Sequence, residues 1–177
     1  MVIPIKKIIN DDKMLTSFMD AISRFTCQDK DVETFLKEKA FDFERRDKSR
    51  TCLILDDTSK ALLGYFTLSL NALQFRESVS KNTIRRIDGF SKDIKAVGIV
   101  LIGQFGKDME LAKDITGKIL LDICIESIYE AQDIVGGRFV MLECLDIEKV
   151  VEFYKTNGFQ ALQFDERDKY LQMIRRL

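Results

Sequence analysis

Phe153-Tyr154-Lys155-Thr156-Asn157-Gly158-Phe159 is the stretch of sequence that decides the fold. It ends a helical pattern over residues 148–156, because Asn157 and Gly158 favour the turn that closes a helix. It leads directly into a strand pattern over residues 159–164, and another strand pattern, over residues 138–144, precedes it. The segment therefore predicts a strand, a helix and a strand in succession, which is typical of a mixed sheet with helices on its faces.

The same alternation extends toward the N-terminus. Residues 115–135 are the clearest helix, with a stripe of apolar residues at helical spacing and Gly136-Gly137 as the signal that ends it. Residues 97–102 are apolar on both faces, which is typical of a central strand. The remaining patterns predict strands over 2–8, 50–55, 61–75 and 169–176, helices over 11–25 and 32–40, and an irregular segment with at most two helical turns over 76–90.

Composition restricts the chemistry before any motif is considered. The chain has 177 residues, 46% of them hydrophobic and 32% charged, which predicts one globular domain over residues 1–177. It contains no histidine, so catalytic triads, histidine bases and histidine metal sites are excluded. The formal net charge is −1, which disfavours a nucleic-acid partner because phosphate binding needs a cationic surface. Backbone amides and the side chains of Tyr, Cys, Asp, Glu and Lys are left as the possible reactive groups.

The sequence also predicts the cellular location of the protein and the state of its cysteines. The first ten residues lack the apolar core of a signal peptide, and the longest apolar stretch, 96–103, is too short to cross a membrane. The spacing of the four cysteines matches no zinc motif, so we expect buried reduced thiols and a cytoplasmic protein without a metal. These cysteines are Cys27, Cys52, Cys124 and Cys144.

One apparent nucleotide motif fails. Gly98 and Gly103 have the outer glycine spacing of a P-loop, but Gln104-Phe105 stands where Lys-Ser/Thr is required. The motif also lies inside a predicted strand instead of after one. Phosphate chemistry of the P-loop type is therefore excluded.

The segment order from residue 97 to residue 159 resembles the GNAT superfamily of N-acetyltransferases. The most specific piece is 153–159, which is similar to the superfamily's helix ending (Leu/Phe)-Tyr-x-x-x-Gly-Phe. The resemblance covers the second half of the chain well and the first half only in the order of strands and helices. It implies an α/β fold, a mixed sheet of about seven mostly antiparallel strands, with a splayed central parallel pair and helices on both faces.

The resemblance also implies acetyl-CoA as co-substrate. In the superfamily, the pantetheine arm binds unpaired backbone groups of the splayed central strand, which here belong to Gln104, Phe105 and Gly106. The pyrophosphate binds at the opening of the following helix, where backbone N–H groups and the helix dipole favour an anion. Alignment places this loop at residues 112–117, where only the last glycine matches the superfamily's pattern. The candidate ligands there are Lys113, Ile115, Thr116, Gly117 and Lys118.

Two side chains are candidates for the catalytic roles. Tyr154 matches the tyrosine that in many members lies near the CoA sulfur, which implies a general acid for the departing thiolate. Without histidine, a carboxylate or a chain of water molecules must deprotonate the acceptor amine. Glu143 at the end of its strand is the first candidate for this base, and Glu110 is the second.

Three functions stay open at this point. The first is an N-acetyltransferase for a small-molecule or peptide amine. The second is a GNAT-shaped binding or regulatory module without catalysis, and the third is a toxin-type acetyltransferase of aminoacyl-tRNA. The final strands, such as residues 170–174, are apolar, which leaves open a homodimer in which these strands pair between subunits.

Overall fold

The computed structural model describes residues 1–113, 115–167 and 169–177. Seven strands form one sheet in the order β1-β2-β3-β4-β5-β7-β6. The strands are β1 (Val2–Pro4), β2 (Arg50–Leu55), β3 (Leu62–Gln74), β4 (Ala96–Lys107), β5 (Phe139–Cys144), β6 (Gln160–Phe164) and β7 (Leu171–Arg176). The helices are α1 (Ile5–Ile9), α2 (Asp12–Arg24), α3 (Lys30–Thr34), α4 (Ala40–Arg45), α5 (Lys81–Asp88), α6 (Gly117–Val135) and α7 (Glu148–Thr156).

Two predicted segments differ from the structure. The strand expected over residues 2–8 ends at Pro4 and continues as α1, because Ile5 and Ile8, three residues apart, are both fully buried as one face of a helix. The helix expected over 32–40 is part of a longer run in which a π-helical turn, Phe35–Lys39, joins α3 to α4. A π-helical turn adds one residue to an α-helical turn.

The central strands have the predicted parallel pair. Strands β4 and β5 pair in parallel from Val100↔Val140 to Ile102↔Leu142, whereas β4 itself continues to Lys107. The pairs β1–β2, β2–β3, β5–β7 and β6–β7 are antiparallel. The mixed, mostly antiparallel sheet of seven strands expected from the sequence is therefore confirmed.

The chain divides into two compact units. Unit 1 comprises residues 1–69 and 103–127, and its core joins α1 and α2 to strands β2 and β3 through residues such as Ile22, Phe25 and Tyr65. Unit 2 comprises residues 70–102 and 128–177, and its core is built from Leu73, Ile87, Ile99, Phe139, Met141 and Ile174. The single domain over residues 1–177 stays a prediction.

The position of β7 corrects one expectation about oligomers. β7 lies between β5 and β6, and it pairs with both of them. Its backbone groups are therefore used within the chain, so pairing of residues 170–174 with a second subunit is excluded. Within the described residues, no helix is both long and apolar enough to cross a membrane.

Candidate functional site

At the end of β4 in unit 1, the backbone N–H and C=O groups of successive residues point to opposite edges of the strand. The Gln104 N–H donates to Thr67 Oγ1 of β3 at 2.8 Å. The Gly106 carbonyl also points toward β3, since a Cβ built on Gly64 would lie 2.5 Å from its oxygen. Successive residues of a strand direct their N–H and C=O groups to opposite edges, so those of Phe105 point away from β3. The expectation of an unpaired N–H at Gln104 is therefore wrong. Of the three residues predicted to bind the pantetheine arm, Phe105 is the one whose backbone groups face the other edge of β4.

Two further features distinguish this strand end. The side-chain oxygen Oε1 of Gln104 is buried and has no hydrogen-bond partner among the described residues. Neighbouring side chains pack tightly around the buried Gly106, so that an added Cβ would lie 2.7 Å from Cγ1 of Val32 and 3.2 Å from Cε1 of Tyr65. Since a buried acceptor without a donor costs free energy, Gln104 Oε1 marks a place where an N–H of a ligand is stabilising.

The loop before α6 is held to β4 by a side chain that the sequence analysis did not identify. Lys107 Nζ donates to the Ile115 carbonyl at 2.7 Å, and the Ile115 N–H donates to the Ala112 carbonyl at 3.0 Å. Both backbone groups of Ile115 are therefore used within the loop. Thr116 Oγ1 accepts the Ile119 N–H at 3.4 Å and so satisfies one of the first N–H groups of α6.

The lysines predicted at this loop differ in their surroundings. Lys113 is exposed, whereas Lys118 forms an ion pair with Asp122 one helical turn later. The alignment of this loop also includes Asp114, which lies outside the described residues. Gly117 and Lys118 begin α6, where the backbone N–H groups of a helix favour an anion.

Tyr154 lies in the last turns of α7 in unit 2. Its ring packs edge-on against Phe153, with ring centroids 5.1 Å apart, and against Phe159, at 5.7 Å. The turn that follows is the predicted one: the Asn157 and Phe159 N–H groups both donate to the Tyr154 carbonyl, and Gly158 has a φ of 85°. The motif over residues 153–159 thus holds the tyrosine ring in a fixed, half-buried position.

Glu143 lies on β5 in unit 2 and faces a cavity of about 350 Å³. Its carboxylate accepts a hydrogen bond of 2.8 Å from Nε2 of Gln172, the residue directly opposite on β7. The Asp165 carboxylate, which also lines the cavity, accepts the N–H groups of Tyr170 and Lys169, and the hydrogen bond from Tyr170 is the main cause of its lowered pKa. Glu110, the second candidate base, is an exposed residue of unit 1 just after β4.

The cysteines are free thiols buried in the core. Burial raises the pKa of the Cys52 thiol to about 11, and burial also raises the pKa values of Cys27, Cys124 and Cys144. A thiol with a raised pKa is a poor nucleophile at neutral pH. Within the described residues, no group of three or more Cys, Asp or Glu side chains is arranged to hold a metal ion.

Sequence reasoning did not identify the polar residues that surround Glu143. Gln163 and Gln172 each stand between two apolar residues of their strands, and Arg76 lies in the segment that was expected to be irregular. A signal was present, because a glutamine between apolar strand residues must find partners once its strand is buried. The faces of these residues depend on strand register, which the sequence pattern left open.

Comparison with known proteins supports the fold. No model of a protein family matches the chain. A KacT toxin in which one tyrosine is replaced by phenylalanine is 25% identical, with a TM-score of 0.65 and 85% of each chain covered. AtaT complexed with acetyl-methionyl-tRNAfMet is 24% identical, with a TM-score of 0.67 and 85% of each chain covered. AtaTR bound with AcCoA is 21% identical, with a TM-score of 0.65, and covers 97% of this chain and 90% of that one.

Proposed function

Because the chain has the GNAT fold that its sequence resembles, we propose that it is an acetyl-CoA-dependent N-acetyltransferase that transfers an acetyl group directly to a primary amine. The observation that carries the proposal is the end of β4. There the parallel pairing with β5 stops at Ile102, and the Phe105 backbone points away from β3. An unpaired strand edge of this kind binds an extended ligand with amide groups as if it were a further strand.

The residues of unit 1 fit such a ligand. The C=O of Phe105 and the unpartnered Oε1 of Gln104 accept the amide N–H groups of a pantetheine arm. The first N–H groups of α6, at Gly117 and Lys118, bind the pyrophosphate, and the exposed ammonium of Lys113 adds positive charge. No metal is required, because the helix opening and the lysine supply the positive potential.

The proposed reaction is one displacement at the thioester carbonyl. The amine nitrogen attacks the carbonyl carbon, an N–C bond forms, and the C–S bond breaks with loss of the thiolate. The Phe105 N–H stabilises the negative oxygen of the intermediate. Glu143 takes the proton that the amine loses, and the hydroxyl of Tyr154 donates its proton to the thiolate. Proton exchange with water then restores both side chains.

Calorimetric titration with acetyl-CoA tests the cofactor site. We expect micromolar affinity, about −8 kcal/mol of binding free energy. Gly117→Glu should abolish binding, because it adds bulk and negative charge at the helix opening. Gly98→Glu is the matched control: nothing lies within 4 Å of a Cβ at Gly98, so the same charge is tolerated there. Normal binding by the Gly117→Glu protein would show that the pyrophosphate lies elsewhere, and binding without turnover would favour the non-catalytic module.

A second candidate acceptor is the amino group of an aminoacyl-tRNA, because AtaT, which is similar to this chain, forms a complex with acetyl-methionyl-tRNAfMet. The net charge disfavours this acceptor, but a group of arginines in unit 2 favours it. Arg85, Arg86, Arg138 and Arg176, here called the arginine surface, are exposed and form no ion pair within the described ranges. Unpaired guanidinium groups on one unit are the feature that phosphate-backbone binding needs.

Contacts within unit 2 show how the arginine surface is assembled. The Arg138 guanidinium lies against Gly89, which ends α5, so that a Cβ there would meet it at 2.3 Å. Arg86 Nη2 donates to Gln160 Oε1 at 3.4 Å, and Arg176 is the register partner of Phe139, the residue after Arg138. These contacts connect α5 to Arg138, just before β5, and to Gln160 of β6, whereas Arg176 is the last residue of β7.

Charge reversal distinguishes this acceptor from a small amine. If tRNA binds here, Arg85→Glu with Arg86→Glu should weaken tRNA binding by about a hundredfold at low salt and reduce the salt dependence. The matched control is Arg45→Glu with Arg46→Glu, an adjacent arginine pair at the end of α4 in unit 1. Equal tRNA binding by both double variants would rule out the arginine surface.

A cytoplasmic location is part of the proposal, because acetyl-CoA, tRNA and reduced thiols occur together there.

A further inference from the structure

A row of three polar side chains crosses unit 2 from strand to strand. Glu143 on β5 is directly opposite Gln172 on β7, and Gln172 is opposite Gln163 on β6. Residues directly opposite each other in antiparallel strands place their side chains on the same face. The row lies beside the apolar core of unit 2, since Met141 and Ile174, the neighbouring opposite pair, belong to that core.

A bulge in β6 is what brings Gln163 into the row. Ala161 pairs with Met173 and Gln163 pairs with Gln172, so Leu162 is an additional residue in β6. In a regular strand Leu162 would face Gln172, and Gln163 would point to the other face of the sheet. The bulge thus places a buried amide where regular pairing would place a leucine.

Backbone groups fix the direction of the hydrogen bonds along the row. The Arg76 N–H donates to Gln163 Oε1 at 3.0 Å, and Gln163 Nε2 donates to the Gln74 carbonyl at 2.7 Å. A backbone N–H only donates and a carbonyl only accepts, so the Gln163 amide has one orientation. Its Nε2 also donates to Gln172 Oε1 at 2.7 Å, and this leaves Gln172 Nε2 to donate to Glu143 at 2.8 Å.

The row ends at a carboxylate in the 350 Å³ cavity. One oxygen of Glu143 accepts from Gln172, and a carboxylate has two oxygens with about four acceptor positions in all. The Asp165 carboxylate of the same cavity is used by its own loop, through the N–H groups of Lys169 and Tyr170. Three carboxylates, those of Glu143, Asp165 and Glu166, and the two guanidinium groups of Arg76 and Arg167 line the cavity, so negative charge is in excess. Glu143 is the carboxylate that the row holds in place, and a ligand of matching chemistry carries a positive charge with several N–H donors.

We propose that this cavity binds the primary ammonium group of the acceptor, with the Glu143 carboxylate as its ion-pair partner and Gln172 and Gln163 as positioning residues. The assignment of that amine as an acetyl acceptor rests on the proposed function, whereas the binding of the amine does not. The substrate class is a small primary amine, or the terminal amine of a larger molecule, that fits a cavity of about 350 Å³.

The test uses glycinamide as the probe, with the full chain and without acetyl-CoA. The side-chain amide signals of Gln163 and Gln172 are followed by nuclear magnetic resonance during the titration. We expect both signals to shift with a dissociation constant in the range of about 1 mM. N-acetylglycinamide, which has no positive charge, should shift neither signal.

Variants of Glu143 locate the ion pair. Glu143→Gln should weaken glycinamide binding by about tenfold or more, because the counter-charge is lost. Glu152→Gln, which removes an exposed carboxylate on α7, is the matched control and should bind like the unmodified protein. Equal affinity in the Glu143→Gln protein, or shifts confined to other residues, would overturn the proposal.

A double-variant cycle tests the positioning role. Gln172→Met keeps the length of the side chain and removes the donor, so it should weaken glycinamide binding. If Gln172 acts through Glu143, the variant with both substitutions should bind no worse than Glu143→Gln alone. Additive losses would contradict the positioning role. If acetyl-CoA does not bind but glycinamide still responds to Glu143→Gln, the proposed function fails and the amine site stands.

Discussion

The hydroxyl of Tyr154 can be removed with little effect on packing. Phenylalanine in its place keeps the edge-on contacts with Phe153 and Phe159. We expect Tyr154→Phe to lower kcat by about tenfold or more and to leave the affinity for acetyl-CoA unchanged, because a general acid contributes on that order. Steady-state kinetics and calorimetry measure the two quantities. Tyr129→Phe, at an exposed tyrosine of α6, is the control, and unchanged turnover of the Tyr154→Phe protein would exclude the acid role.

At the residue scale, the sequence suggested candidate reactive groups but did not indicate their hydrogen-bond partners. Glu143 and Tyr154 were candidates because of their residue types and their places in the resemblance. Gln172, Gln163 and Lys107 were not, since the importance of each depends on which residue stands opposite or nearby. Hydrogen-bond partners of this kind are set by register and by loop path, which a single sequence does not encode in any local pattern.

Among the elements, strand β4 offers a comparison between two of its glycines. Gly106→Ala places a Cβ 2.7 Å from Cγ1 of Val32, so that the neighbouring side chains must move. Gly98→Ala meets no atom within 4 Å. We expect Gly106→Ala to lower the free energy of unfolding by about 1–3 kcal/mol, the usual cost of overpacking. Gly98→Ala should change it by less than about 0.5 kcal/mol, as exposed substitutions do.

Urea denaturation measures both values. If the two alanine variants prove equally stable, the close packing around Gly106 does not constrain β4. Acetyl-CoA titration of the Gly106→Ala protein adds a second readout, because displacement of the strand end also moves the Phe105 backbone.

Most elements were predicted within a few residues of their observed ends, and the exceptions have physical causes. The alternation of Ile3, Pro4 and Ile5 favours a strand, whereas Ile5 and Ile8 have helical spacing, and burial of Ile5 and Ile8 decides for the helix. Helix α5 agrees with the two helical turns allowed within residues 76–90, but its bounds were not predicted, because it has only two buried apolar residues, Ile84 and Ile87. Its end signals were nevertheless present: Ser80 Oγ accepts the Thr83 N–H, and Gly89 ends the helix with a φ of 89°.

At the scale of the whole molecule, the stability of the fold at low pH depends on carboxylates whose pKa is lowered by hydrogen bonds in the folded state. Glu33 accepts from Lys30, from the Cys27 N–H and from Lys37, and these bonds, the one from Lys30 first, lower the pKa of Glu33 to about 2. A carboxyl whose pKa is lowered on folding stabilises the protein above its unfolded pKa, near 4.5, and loses that contribution as the pH falls toward 2. We expect Glu33→Gln to make the melting temperature less dependent on pH over that interval.

Thermal denaturation at several pH values measures this dependence. Glu38→Gln, at an exposed glutamate of the same helical run, should keep the slope of the unmodified protein. An identical slope in the Glu33→Gln protein would show that Glu33 does not couple protonation to folding.

The additional residue in β6 has a consequence for how this chain diverges during evolution. Deletion of Leu162 would remove the bulge and still leave Gln163 opposite Gln172, because Gln163 would then directly follow Ala161 in a regular strand. Loss of this one codon would therefore keep the row from Gln163 to Glu143 in place. Among descendants of this chain, a gap at this position predicts an unchanged acceptor preference wherever every polar residue of the cavity is retained.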